Sequence, residues 1–198
     1  MHEPYSTHMT DSARRAAGTL TNALNPFFIF TALYALVALS YAGLARGLLF
    51  VGVELLSAAA VAGYVLYMRR RSRVGDFWIS ARAERLLPAL FLLAAFVALL
   101  AVLFLLRAPR ELFQVALSMG LASAAVALIT LLWKASAHCT VAGHAAAAGL
   151  LLLGPWGPIF LLILPIVIWS RVAMGAHTPP QALVGAAIGA GFAVLALT

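Results

Sequence analysis

Three short clusters carry the side chains of this chain that are able to do chemistry. The first is Ser170-Arg171, five residues, His177, then three residues and Gln181. The second is Lys134-Ala135-Ser136-Ala137-His138, and the third runs from Asp76 through Arg82, Glu84 and Arg85 to Pro88. All three lie at the edges of long apolar runs. Cations and imidazoles beside a bilayer are costly, and an anionic headgroup there offsets that cost. Arg82 and Arg85 are three apart, so on a helical turn they share a face, and two guanidiniums on one face suit a phosphate or diphosphate. Ser136 reads as the cap of a helix with His138 in its first turn, where backbone N–H groups and the helix dipole favour an anion. Lys134 adds a full positive charge. Thr178-Pro179-Pro180-Gln181 reads as another helix start, with Gln181 where a capping box wants Glu or Gln. His177 then sits near the positive end of that helix dipole, which favours the neutral, nucleophilic imidazole. Each cluster also has a plainer reading: a lysine that snorkels, a histidine satisfied by a loop carbonyl, arginines that anchor the chain to headgroups.

The elements that must position these residues are membrane helices. The chain has 198 residues, of which 64% are hydrophobic and 10% charged, with a mean hydropathy of +1.02. That composition excludes a soluble globular domain. The apolar runs are too long and continuous for barrel strands, so the expected fold is all-α, a polytopic bundle of about six to seven transmembrane helices. The spans read as 26–45, 47–68, 87–106, 111–133, 138–153, 157–170 and 180–198. The tight Arg46-Gly47 junction predicts a hairpin for the first two, and Pro165 predicts a kink in the sixth. Residues 1–24 form a polar segment without the apolar run of a signal peptide, and within it 11–24 suits a short surface helix. Residues 25–198 form a single transmembrane domain, with the chemistry confined to about 76–198.

Alternating the spans across the bilayer places all three clusters on one side. Trp78, Trp133 and Trp169 fall at that boundary and Trp156 at the opposite one, as interfacial indoles do. Excluding the candidate site residues, this side holds Arg14, Arg15, Arg69, Arg70, Arg71 and Arg73, and the other holds Arg46, Arg107 and Arg110. The positive-inside rule makes the six-arginine side cytoplasmic. The net charge of +7 is spent on orientation and lipid headgroups, and nucleic acid is not an expected partner.

Histidine after serine, then Ser-Arg-x5-His opening the final helix, resembles the type 2 phosphatidic acid phosphatase superfamily of membrane lipid phosphate phosphatases. The resemblance spans about residues 76–190 and is specific mainly in 170–190. It implies that Arg171 clamps phosphate, His177 attacks phosphorus to give a phosphohistidine, and His138 protonates the leaving oxygen. It places Arg82, Arg85, Lys134 and Ser136 around the phosphate, and it implies no metal and no cofactor. The implied substrate is a lipid or isoprenoid phosphate or diphosphate, and the implied location is the bacterial inner membrane. The chain also departs from the family. Its middle motif is Ala135-Ser136-Ala137-His138 where the family has Pro-Ser-Gly-His, and the first motif, a lysine six residues before Arg-Pro, is missing. Gln181 stands where an aspartate usually orients the nucleophile; a glutamine oxygen can fix the imidazole tautomer but cannot stabilise an imidazolium by charge. Glu84 and Asp76 are the carboxylates on the same side that could replace it. The alternative to an enzyme is a non-catalytic phosphate-lipid-binding or subunit-like relative. Cys139, the single cysteine, has no arginine at the spacing of a cysteine phosphatase. Two residues fall outside the site: Glu54, roughly 20 Å from the boundary by helical rise and expected to be protonated and hydrogen-bonded, and His144, expected to pack. Gly185-x3-Gly189 predicts a tight crossing of the last helix.

Overall fold

The computed structural model describes residues 10–76 and 84–198. Every regular element among them is helical: α1 (Asp11–Ala23), α2 (Pro26–Arg70), α3 (Leu86–Leu105), α4 (Arg110–Leu132), α5 (Ala137–Leu152), α6 (Gly157–Ala173) and α7 (Pro179–Leu197), with a 3₁₀ turn at Gly154–Trp156 before α6. Five of these, α2, α3, α4, α6 with its preceding turn, and α7, are long and apolar enough to cross a membrane. They are the helices of an integral membrane protein.

The helix ends follow from local chemistry. Asn25 caps α2 by accepting from the Phe28 N–H, and Pro26 takes the first helical position. α2 is not one straight rod. Gly43 sits at φ +72°, ψ 175°, a conformation that L side chains avoid, and the chain reverses there. A Cβ on Gly47 would meet the Ala38 carbonyl oxygen at 2.9 Å, so the two legs touch just past the turn. The hairpin expected from the sequence is therefore present, but it turns at Gly43 rather than at Arg46-Gly47. Hydropathy cannot tell two nearby glycines apart; backbone φ can. Arg46 instead closes the far end of α3, donating to the Leu106 and Arg107 carbonyls at 3.0 Å. Pro165 lies inside α6, which continues as helix on both sides of it.

α5 is the hub. Its 16 residues pack against α7, α6, α2 and α4, and nearly all from His138 to Gly149 are buried. Small side chains make this possible. A Cβ on Gly189 would strike the Thr140 carbonyl, and one on Gly143 the Ala186 carbonyl, so α5 and α7 cross backbone to backbone. That is the tight crossing expected of Gly185 and Gly189. A 16-residue helix rises only about 24 Å, less than the ~30 Å of a bilayer core. The α1 helix lies beside α6, with Ala17 and Thr21 buried and Gly18 against the Met174 sulfur.

Candidate functional site

The α6–α7 corner explains the spacing between Arg171 and His177. Arg171 lies in the last turn of α6 and Met174 caps it. Gly175, at φ +66°, turns the chain back, and the N–H groups of Ala176 and His177 both donate to the Arg171 carbonyl, at 3.1 and 3.2 Å. Thr178 then caps α7 in a full capping box: its side chain accepts from the Gln181 N–H, and Gln181 Oε1 accepts from the Thr178 N–H at 3.1 Å. Five residues between Arg171 and His177 are what one helix end plus one helix start require. The Ser170 hydroxyl turns back into α6 and donates to the Val167 carbonyl.

The α4–α5 corner is fastened to this one. Lys134 Nζ donates to the Ala176 carbonyl at 2.7 Å, and the Ser136 N–H donates to the Gln181 carbonyl at 3.3 Å. Ser136 caps α5 as expected: its hydroxyl oxygen accepts from the Cys139 N–H, and its side chain is fully buried. His138 follows in the first turn of α5, 6% exposed, within electrostatic range of Arg171 and His177. Arg85 stands just before α3, and its charge reaches both Lys134 and His177. Arg82 lies outside the described residues.

The structure therefore brings Arg85, Lys134, His138, Arg171, His177 and Gln181 to one end of the bundle. Their electrostatics are one-sided. Burial first, and then the charges of Lys134 and Arg171, hold the His177 imidazole down to about 3, with Arg85 adding to the effect and the Gln181 amide opposing it. Burial, Arg85 and Arg171 likewise pull Lys134 below the ordinary lysine range. His177 is thus a neutral imidazole among cations. Among the described residues no carboxylate acts on it. Glu84 accepts from the Gly75 N–H at 2.9 Å.

Arg171 Nε and then His177 Nδ1 are buried in the cluster with no hydrogen-bond partner among the described residues. A buried donor left unmade costs about 1–3 kcal/mol, and more when charged. The second atom bears on Gln181. Gln181 Oε1 accepts the Thr178 N–H of the α7 cap, and the same amide also reaches the His177 ring, while Nδ1 has no partner among the described residues.

Sequence reasoning missed the Ala176 carbonyl as the anchor of Lys134, since any residue type supplies a carbonyl. It also passed over Gly175, which was visible between Arg171 and His177 as a helix stop. Among the described residues no three His, Cys, Asp or Glu side chains converge on a metal position. No family model matches the chain, and no curated protein or solved structure matches it.

Proposed function

We propose that this chain is a membrane-embedded phosphatase for a lipid or polyprenyl phosphate or diphosphate, working by attack of His177 on phosphorus, as its resemblance to the type 2 phosphatidic acid phosphatases implies. The observation that carries the reading is a neutral, half-buried imidazole with the charges of Lys134, Arg171 and Arg85 acting on it and, among the described residues, no carboxylate. Such a cluster asks for an anion, and a phosphate dianion answers it. In this reading the substrate phosphate lies on Arg171, Lys134 and Arg85, whose charges balance the equatorial oxygens as the bond to the leaving oxygen breaks. The incoming dianion lets His138 hold the proton that it gives to the leaving oxygen. His177 and phosphorus form a P–N bond; water then breaks it, losing its proton to His138 and releasing inorganic phosphate.

The same reading takes α2 as two crossings and α3 to α7 as one each, seven in all, with the site on the cytoplasmic side of the bacterial inner membrane. α5, at 16 residues, is shorter than a bilayer core, and its capped end carries His138.

A second reading has its own support: a His177 Nδ1 with no partner among the described residues, and a Gln181 that brings no negative charge to the ring, fit a chain that binds phosphate lipids without turning them over. One experiment separates the two. Purified chain in detergent or liposomes should release inorganic phosphate from a lipid phosphate without added metal, and His177→Ala should abolish release. Gln181→Asp, which returns a carboxylate near the imidazole, should raise kcat about tenfold or more. Saturable binding with no release from either the native chain or Gln181→Asp would select the binder.

A further inference from the structure

Outside the phosphate cluster, the most demanding group in the molecule is Glu54. It lies on the second leg of α2, 3% exposed, 16 positions before Arg70. Helical rise puts it about 24 Å from that end of the leg. Gly43, 11 positions before it, is about 16 Å away at the other end. Glu54 is therefore near the middle of the membrane and remote from Arg171 and His177.

Its surroundings are built but incomplete. The Thr31 hydroxyl, on the first leg, reaches both carboxyl oxygens at 3.0 Å. One hydroxyl has one proton, whereas a carboxylate offers about four acceptor positions. Tyr34, three residues on and so on the same helical face, lies within electrostatic range of Glu54. The Tyr34 hydroxyl is wholly buried and has no hydrogen-bond partner among the described residues. Against Glu54 is a cavity of about 50 Å³, bounded on its α3 side by Leu92, Ala95, Phe96 and Leu99. That is room for one water molecule.

Charge is the deciding quantity. Among the described residues no cation acts on Glu54. Arg46, the arginine nearest in sequence, is spent on the Leu106 and Arg107 carbonyls. The α3 side of the cavity is apolar, and α4 contributes no titratable group that acts on Glu54. From α5 the titratable group is His144, whose ring lies 6.4 Å from that of Phe30 and whose Nε2 is paired with the Ser118 hydroxyl at 2.8 Å. Phe30 itself lines the cavity. A bare carboxylate held mid-bilayer by a single hydroxyl is untenable, because desolvating an unpaired charge costs several kcal/mol or more. A metal ion is disfavoured as the counter-charge, since the oxygens at the carboxyl are its own and Thr31's, and apart from Glu54 and Ser57 the cavity wall is hydrocarbon.

We propose that Glu54, Thr31 and Tyr34 form an intramembrane proton-binding site, with the cavity beside α3 as the place where the proton is exchanged. In the loaded state Glu54 is a carboxylic acid. In the unloading step its O–H bond breaks and the proton passes to a hydroxide or water in the cavity, leaving the carboxylate held by Thr31; no oxidation or reduction is involved. The site is independent of phosphate chemistry.

The test is pH-titrated infrared difference spectroscopy on the full chain in liposomes. The expected result is a protonated-carboxyl C=O stretch at neutral pH that is lost in Glu54→Gln, disappears reversibly at alkaline pH, and ignores added NaCl. Thr31→Val, which keeps the carboxyl and removes its hydrogen bond, should shift the frequency of that band. This variant covers the case in which Glu54→Gln folds poorly. Only carboxylate bands at neutral pH would overturn the proposal. So would conversion of the acid band to carboxylate by sodium at constant pH, which would make this a metal-cation site, and so would a band indifferent to Thr31→Val.

Discussion

His177 is an imidazole that its neighbours keep uncharged. An ordinary histidine takes up a proton at about 6.5, whereas this one holds out to about 3 because it is buried and faces Lys134 and Arg171. The consequence for stability has a definite sign. As pH falls from about 6.5 towards 3, the unfolded chain binds a proton that the folded chain refuses. Acid in that window therefore erodes the fold, and the loss stops below it. NMR of the imidazole should show a neutral ring in mildly acid solution, where free histidine is charged. Lys134→Met, which deletes the strongest neighbouring charge, should move the midpoint upward, and a phosphate analogue should move it the same way by neutralising the cations. A ring that titrates like free histidine in the native chain contradicts the cluster. Arg171 belongs to the same argument. Its Nε is buried without a partner among the described residues, and a charge-assisted bond to phosphate is worth about 1.5–3 kcal/mol. Arg171→Ala should therefore weaken binding of a phosphate lipid by about 10- to 100-fold, read by equilibrium binding.

Two helix corners assemble the site. The α6–α7 corner depends on Gly175 at φ +66°. An alanine there costs about 1–2 kcal/mol of backbone strain. It also disturbs the Ala176 and His177 N–H groups that grip the Arg171 carbonyl, and through Ala176 the anchor of Lys134. Gly175→Ala should lower phosphate release much more than it lowers the thermal midpoint, whereas Gly43→Ala, strained equally but at the far end, should lower only the midpoint. Much of this corner chemistry is written in residue types. Ser136, Thr178 and Gln181 announced their helix starts, and Gly185 and Gly189 announced the α5–α7 crossing, because caps and close approaches demand particular side chains. The position of the α2 turn was hidden, because Gly43 and Gly47 look alike until their torsions are known. The Lys134–Ala176 bond was hidden as well, since its acceptor is backbone. The Gln181 oxygen was legible as a cap: its place three residues after Thr178 is where a capping box wants it, and the folded chain uses it to hold the Thr178 N–H.

For the molecule as a whole, the design is a short, small-residue helix at the centre with longer apolar helices around it. The polar ends of α4, α5, α6 and α7 gather the cations on one side, and the Arg46 clasp on α3 closes the other. Sidedness is testable on this scale. With Cys139 replaced by serine, single cysteines at Arg73 and Arg110 should respond oppositely to a membrane-impermeant maleimide applied to intact cells. The one at 110 should label at once and the one at 73 only after permeabilisation; the reverse pattern would put the site outside. The most direct test of the central claim is to trap the covalent intermediate. Rapid quenching of the native chain during turnover of a lipid phosphate, followed by mass spectrometry under alkaline conditions that preserve phosphoramidates, should find phosphate on His177 and nowhere else, with adduct and turnover both absent from His177→Ala. Phosphate release that continues in His177→Ala, or turnover with no His177 adduct, would contradict the account.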